Sequence, residues 1–207
     1  DYGYILKHGE GVQKNQREAI KYYKRAADKG FIKAKFNVGL MLYKGEGITK
    51  DKEEAEKYFK MAADEGNIKA MFNCGRMLYD GEGIEINKKE ASHYLKMAAD
   101  NGHIKAMFMF GCMLQKGDEI PINKRQASTY FKSAADKGHI KSMVAYAYNL
   151  ENGVGIIKNK KEAAFYYKLA AEKGHVDSMF HYACMVENGE GIKINKSEAA
   201  QFFKMAI

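Results

Sequence analysis

The sequence contains one proline, no tryptophan and three cysteines among its 207 residues. Because proline interrupts the interior of a helix, a chain with so little of it is predicted to be almost wholly helical. The longest nearly apolar run, Ala106 to Leu114, is far shorter than the ~20 residues that span a bilayer. No charged stretch followed by an apolar run marks a signal peptide.

The cysteines Cys74, Cys112 and Cys184 follow no regular spacing. A secreted repeat protein with a disulfide bond in each repeat carries a cysteine pair in every period. We therefore expect free thiols in a reducing compartment and predict a cytoplasmic location. A glycosylation sequon begins at Asn195, but this residue occupies a position at which every other unit has a helix cap, so we interpret it as a cap.

Motifs for catalysis and metal binding are also missing. The sequence has no nucleophile elbow, phosphate-binding loop or His-Glu-x-x-His pair. His103, His139 and His175 each follow a closing glycine, where a capping or polar-edge role is expected. His181 and Cys184 lie one helical turn apart but have no third ligand in the pattern. The sequence therefore predicts a protein that is not an enzyme and that binds neither a cofactor nor a metal.

What the sequence does have is a period of 36 residues, without insertion or deletion. Two alanines, an acidic residue, a variable residue and a glycine close successive units, with the glycines at Gly30, Gly66, Gly102, Gly138 and Gly174. A fixed period of this length is typical of a solenoid, in which each unit buries its apolar face against its neighbours.

The unit from Asn67 to Gly102 shows the elements of one repeat. Ile68, Met71, Phe72, Gly75 and Leu78 recur at the spacing of one helix face. A glycine inside a helix costs about 1 kcal/mol against alanine, so Gly75 predicts the close approach of a neighbouring helix. The paired glycines that follow predict a turn.

The second helix of each unit begins with a capping box, in which a capping side chain is followed three residues later by Glu or Gln. A recurring aromatic position further along this helix is predicted to be one core site. The capping pairs are Asn15/Glu18, Asp51/Glu54, Asn87/Glu90, Asn123/Gln126, Asn159/Glu162 and Asn195/Glu198, and the aromatic residues are Tyr22, Tyr58, Tyr94, Tyr130, Tyr166 and Phe202.

These elements predict an all-α chain of about six 36-residue helix pairs, an alpha-alpha solenoid. We expect a single array over residues 1–207, and because neither end carries a polar capping face, we expect it to be a piece of a longer protein. The predicted units are 1–30 (partial), 31–66, 67–102, 103–138, 139–174 and 175–207 (partial).

The motif from Ala70 to Gly75, the loop Gly81-x-Gly83-Ile84 and the segment Glu90 to Ala99 resemble the Sel-one-like repeat (SLR), a relative of the tetratricopeptide repeat. The resemblance covers essentially the whole chain. It implies a right-handed superhelix whose first helices line a concave groove, and a role as an adaptor that holds protein partners. Two departures stand out: the disulfide of the cysteine-rich branch is not matched, and the fourth unit has Glu119 in place of the second loop glycine.

The face of each first helix opposite the core varies from unit to unit, whereas the core positions hardly change. Such variation is expected of a surface that recognises a non-repeating partner, although unconstrained solvent-exposed residues would also vary. The candidate partner-binding residues are Lys33, Asn37, Leu40, Lys44, Lys69, Asn73, Arg76, Lys105, Met109, Cys112, Lys116, Lys141, Tyr148 and His181.

The net charge of +8 permits nucleic acid or an anionic membrane as a partner without requiring either. The row of cations on this face predicts an acidic partner. Met109 and Cys112 replace the polar residues of this row in the fourth unit, which predicts an apolar pocket within the basic groove. The alternative is that this helix is buried on all sides, either by an insertion or by self-association of the chain. Self-association is also expected to be possible through the exposed end repeats.

The sequence thus favours a protein-interaction scaffold whose groove binds an acidic peptide segment with apolar anchors. One alternative is an RNA-binding helical-repeat protein, since such arrays also consist of helix pairs of about 35 residues. Another is the regulatory arm of an enzyme such as a kinase. A steep loss of affinity with salt would indicate nucleic acid.

Overall fold

The computed structural model describes residues 2–207; Asp1, at which the first predicted helix begins, lies outside the described residues. The described chain is all-helical and contains no strand. Its helices are α1 (Tyr2–His8), α2 (Gln16–Asp28), α3 (Ile32–Lys44), α4 (Lys52–Asp64), α5 (Ile68–Asp80), α6 (Lys88–Asp100), α7 (Ile104–Lys116), α8 (Lys124–Asp136), α9 (Ile140–Asn152), α10 (Lys160–Glu172), α11 (Val176–Asn188) and α12 (Lys196–Met205).

The helices form two compact units, one ending at His103 and the other comprising Ile104–Ile207. Within each unit, every helix packs mainly against the helices that precede and follow it in the chain. This nearest-neighbour packing is the arrangement expected of helix-pair repeats. We number the repeats one to six by their helix pairs, so that α5 and α6 form repeat three and α9 and α10 form repeat five.

The predicted capping residues are confirmed in all six repeats. Each capping side chain accepts a hydrogen bond from the backbone N–H three residues on, as when Asn87 Oδ1 accepts from Glu90 N at 2.9 Å. The return bond expected in a capping box is absent from this repeat, because the N–H of Asn87 donates to the carbonyl of Leu78 in the preceding helix, at 2.9 Å. This bond joins the two helices of the repeat.

The carboxylates of the capping boxes connect neighbouring repeats. Glu90 Oε1 lies 2.7 Å from Lys60 Nζ, and Glu54 Oε1 lies 2.9 Å from Lys24 Nζ one repeat earlier. Each is a partly exposed pair, and such pairs stabilise folded proteins by less than about 1 kcal/mol. In the second unit Lys168 and Glu198 repeat the contact at 2.9 Å.

The prediction that a close helix approach explains Gly75 is confirmed. A Cβ atom at this position would lie 2.8 Å from Leu95 Cγ and 3.0 Å from Leu95 N, closer than side chains tolerate. Gly111 meets the ring of Phe131 in the same way, at 2.7 Å. The glycine therefore lets the second helix bring a large apolar residue against the first.

The aromatic positions of the second helices do not form one uniformly buried site, so that prediction was only partly right. Tyr94, Tyr166 and Phe202 are buried, but Tyr22, Tyr58 and Tyr130 are only half-buried. In repeats one to five the residue that follows the aromatic position is buried as well, and Phe59, Leu95 and Phe131 lie against the small residue of the first helix.

The fourth repeat keeps its turn without the second glycine. Glu119 adopts the left-handed backbone conformation, with φ of 60°, that glycine adopts at this position in the other repeats. For a residue with a Cβ atom this conformation costs roughly 1–2 kcal/mol. The repeat frame is therefore maintained at the expense of local strain.

Candidate functional site

The first helices place the candidate partner-binding residues at the surface, and none of the fourteen is buried. Lys33, Lys44, Lys69, Lys105, Lys116, Lys141, Tyr148 and His181 are exposed, and Asn37, Leu40, Asn73, Arg76, Met109 and Cys112 are half-buried. The periodicity therefore placed these fourteen residues on the accessible side of their helices.

In the unit that ends at His103, part of this surface is engaged in internal contacts. The guanidinium of Arg76 donates hydrogen bonds to Tyr43 Oη at 3.0 Å and to Glu82 Oε2 at 3.1 Å. The Tyr43 hydroxyl also donates to the Glu82 carboxylate. Lys44 Nζ lies 3.5 Å from Glu46 Oε1. These two cations therefore have partners within the chain, and the exposed lysines remain as the accessible charges.

In the Ile104–Ile207 unit the first helices line a groove of about 720 Å³. Five of the candidate residues lie along it: Cys112, Lys116, Lys141, Tyr148 and His181. Met109 is not among the lining residues. Four further apolar residues line the groove and were not among the candidates, because the helix positions of Ile68 and Phe72, with which they align, were assigned to the core face. They are Phe108, Val144, Val176 and Phe180.

The aromatic walls of the groove are held by contacts behind them. Phe108 packs on Phe131 and on His139, with ring centroids 5.9 Å and 5.2 Å apart. On the other side His181 stacks on Tyr167, with centroids 5.2 Å apart and planes inclined by 13°. Rings fixed before binding lose little side-chain entropy when a ligand arrives, so the groove is preorganised.

The α7 side of the groove is cationic. Burial raises the pKa of the Cys112 thiol, while the positive charges of Lys116 and Lys141 act in the opposite direction. Burial lowers the pKa of His139, and Lys141 and Lys105 lower it further. These lysines therefore create a positive potential at the rim, whereas the α11 wall carries Asp177. An anionic group in the groove is attracted toward α7 and α9.

A buried polar network lies behind the groove. The side-chain amide of Asn149 donates to Ser128 Oγ at 2.8 Å and to Oε1 of the lining residue Gln115 at 3.4 Å. Ser128 Oγ in turn donates to the carbonyl of Val154 at 3.1 Å. Among the described residues, the side-chain oxygen of Asn149 has no hydrogen-bond partner. The network orients Gln115 at the edge of the groove.

The recurring histidines occupy helix starts, as predicted. His175 Nδ1 accepts a hydrogen bond from Ser178 N at 3.2 Å, and Nδ1 of His139 lies 2.8 Å from the Ser142 hydroxyl. His103 stacks on Phe72, with centroids 4.3 Å apart. Residues 2–207 contain no group of three or more His, Cys, Asp or Glu residues arranged to hold a metal ion.

Helix pairs repeated without a strand, each packed on its chain neighbours, define the chain as a helical-repeat protein of the alpha-alpha solenoid class. The family model of the Sel1 repeat matches residues 1–31, 32–67, 68–103, 104–139, 140–175 and 176–207, so the chain belongs to the Sel1 repeat family. Proteins of this family are generally protein-interaction scaffolds that bind protein partners. Within the described residues, no helix combines the length and apolar character needed to cross a bilayer.

Solved structures agree with this assignment. A Sel1 repeat protein from Oxalobacter formigenes is 31% identical, and the match covers 99% of this chain and 84% of that one with a TM-score of 0.78. A protective antigen of uropathogenic Escherichia coli strains with an SLR fold has a TM-score of 0.94 at 24% identity, over 99% of this chain. The chain spans 44% of the length of that antigen. No curated protein matches the chain.

Proposed function

We propose that this chain is a scaffold whose groove on α7, α9 and α11 binds a peptide segment of a partner protein that carries apolar anchors and acidic residues. The observation that carries the proposal is the groove itself, within residues 104–207, where first helices expose apolar side chains beside a basic rim. Tyr148, Val176 and Phe180 are each more than half exposed. Clustered exposed apolar groups of this kind are typical of interaction sites.

The charges favour an acidic partner segment over a neutral one. Lys105, Lys116 and Lys141 are exposed, and no ion pair engages them among the described residues. Charge complementarity of this kind accelerates association and orients the encounter more than it adds to affinity. The same first-helix face in the other unit presents the exposed Lys33 and Lys69, so that unit by itself also attracts an acidic segment.

The three cysteines support a reducing compartment, and we propose that the protein acts in the cytoplasm. Cys74, Cys112 and Cys184 are all free thiols. Burial raises the pKa of each of them, which keeps the thiols protonated and weakly reactive.

A displayed library of random 12-residue peptides, selected on the full chain, tests the proposed function. We expect enriched peptides that combine aromatic or aliphatic residues with Asp or Glu. Tyr148→Ala should weaken a selected peptide at least tenfold in fluorescence anisotropy, because Tyr148 contributes a large exposed surface to the groove. The matched control is Phe165→Ala, which removes an aromatic residue of α10 that is 60% exposed, against 51% for Tyr148, and that does not line the groove.

Two outcomes would contradict the proposal. One is a selection that yields no binding peptide, or only peptides that bind Tyr148→Ala and Phe165→Ala equally well. The other is tight binding of a single-stranded 12-nucleotide RNA with an affinity that falls steeply with salt, which would indicate the RNA-binding alternative.

A further inference from the structure

Two neighbouring residues of α9 depart from the repeat pattern toward smaller side chains. Val144 occupies a position at which every other complete first helix has phenylalanine, and Ala145 follows it where the other helices have a larger residue. The phenylalanines are Phe36, Phe72, Phe108 and Phe180, and the residues aligned with Ala145 are Asn37, Asn73, Met109 and His181.

The phenylalanine ring at this position fills space between repeats elsewhere in the chain. Phe72 stacks on His103, the residue that opens the next repeat, at 4.3 Å between centroids. Phe108 packs in the same way on His139, at 5.2 Å. Val144 has no ring to place against the opening of repeat six, and Val176, at that opening, is 53% exposed. The aligned Ile140, at the opening of repeat five, is half-buried.

The groove lies at this gap. Both Val144 and Ala145 line it, with Phe108 from the preceding repeat and Phe180 from the following one. Lys116, the last residue of α7, and Lys141, the second residue of α9, also line the groove. The two small residues therefore leave a space at the position where repeats three and four place an aromatic ring against the next repeat, and cations border that space.

We propose that this space is an anchor pocket for one aromatic side chain of the partner peptide, with a carboxylate of the same peptide held between Lys116 and Lys141. The inference rests on the proposed function and names the residue type that the groove selects. An aromatic ring entering the pocket contacts Phe108 and Phe180, and ring pairs at such distances add to the stabilisation that burial gives. The carboxylate accepts charge-assisted hydrogen bonds from the lysines.

The test uses 3-phenylpropionate, which combines one phenyl ring with one carboxylate, as the probe for the full chain. Methyl ¹H–¹³C NMR follows the methyl groups of Val144, Ala145 and Val176. We expect saturable shifts with a dissociation constant in the millimolar range, as suits a ligand of about a dozen atoms. The neutral 3-phenylpropionamide should bind several-fold more weakly, and so should 3-phenylpropionate to Lys116→Gln/Lys141→Gln.

The decisive variant is Val144→Phe, which restores the ring that four other repeats carry. It should abolish the shifts of Ala145 and Val176 while the helical content stays constant and the melting temperature stays equal or rises. Ala145→Met, which copies the chain's own Met109, obstructs the pocket from its floor and provides a second variant should Val144→Phe fold poorly. The matched control Val12→Phe adds the same ring at an exposed valine that does not line the groove, and it should retain binding.

The inference is overturned if none of these methyl signals shifts at a 3-phenylpropionate concentration of about 20 times the expected dissociation constant. It is also overturned if folded Val144→Phe and Ala145→Met bind 3-phenylpropionate as tightly as the unchanged chain does. Failure of the inference is distinguishable from failure of the proposed function. Selected peptides that bind Val144→Phe normally but lose affinity for Tyr148→Ala would leave the groove as the binding surface and remove only the anchor pocket. Peptides insensitive to all these substitutions would remove both.

Discussion

Helix α5 of repeat three and helix α9 of repeat five hold the same place in the 36-residue frame, but their accessible faces differ. In α5 the ring of Phe72 stacks on His103, and Arg76 is bonded to Tyr43 and Glu82. In α9 the corresponding residues are Val144 and Tyr148, and they line an open groove. The backbone frame is the same, so the difference lies in a few side chains.

The loops that follow these helices show the same contrast. Glu82, in the loop after α5, contributes a carboxylate that joins two repeats through Tyr43 and Arg76. The aligned residue after α9 is Val154, whose carbonyl accepts a hydrogen bond from Ser128. Repeat three thus uses these variable positions for internal contacts, whereas repeat five leaves Val144 and Tyr148 open at the groove.

The largest effect is expected from Phe131→Ala compared with Phe59→Ala, aligned core residues in the two units. Both side chains are almost fully buried against a first-helix glycine, so each truncation should cost about 3–5 kcal/mol of the free energy of unfolding. Only Phe131 also supports the groove wall Phe108. Urea denaturation measures the two losses, and peptide binding should weaken in Phe131→Ala alone.

Hydrogen exchange adds a spatial readout to this pair. Because solenoid stability is a sum of repeat and nearest-neighbour contributions, protection should fall first in the unit that carries the substitution. Equal loss of protection throughout residues 2–207 for both variants would show that the chain unfolds as one cooperative domain and would contradict this expectation.

A smaller effect is expected where repeat three has Gly75 and repeat five has Ala147. Gly75→Ala places a Cβ atom 3.0 Å from Leu95 N and 3.1 Å from Ala91 O, so the second helix must shift, at a cost of about 1–3 kcal/mol. Ala147→Gly loses helix propensity without any clash and should cost about 1 kcal/mol. Thermal unfolding of both variants measures the difference. A stabilised Gly75→Ala protein would mean that the helices are less closely packed than described.

The sequence predicted the fold well because the determinants of a helix pair are local. Capping residues such as Asn87 and glycines such as Gly75 recur at each period, and every repetition reinforces the interpretation. The burial of the aromatic position was harder to predict. Tyr94 and Leu95 are both apolar and adjacent, and only the packing of the first helix decides that Leu95 faces the glycine.

The groove was predicted less completely than the fold. Periodicity identified five residues that line the groove. The apolar side chain of Met109 led to the prediction of a pocket at repeat four, but Met109 does not line the groove. A groove forms where side chains are too small to fill the space between helices. Val144 and Ala145, considered without the aligned residues of the other repeats, are ordinary apolar residues and do not indicate such a space. Their small size has meaning only beside the aligned Phe108 and Met109, with the neighbouring repeats in place as walls.

The smallest effect concerns the carboxylate that repeat three has and repeat five lacks. The hydrogen bond from Tyr43, together with the charges of Arg76 and Lys52, holds the pKa of Glu82 below its ordinary value against the opposing effect of burial. A lowered folded-state pKa means that Glu82 stabilises the fold above the unfolded pKa of about 4.3 and ceases to do so as the pH falls through the folded value.

Glu82→Gln should therefore lower the free energy of unfolding at pH 7 by less than about 1 kcal/mol, since a third of the side chain is exposed and water screens the pair. The difference from the unchanged chain should shrink as the pH falls below about 4.3 and vanish below the lowered folded-state pKa of Glu82, where both proteins carry an uncharged group at this position. Urea denaturation at a series of pH values measures this difference in the free energy of unfolding. Glu85→Gln, an exposed carboxylate of the same loop, shows what removing one loop charge does by itself. A Glu82→Gln deficit that persists undiminished in acid would mean that the shape of the side chain, and not its charge, joins the repeats here.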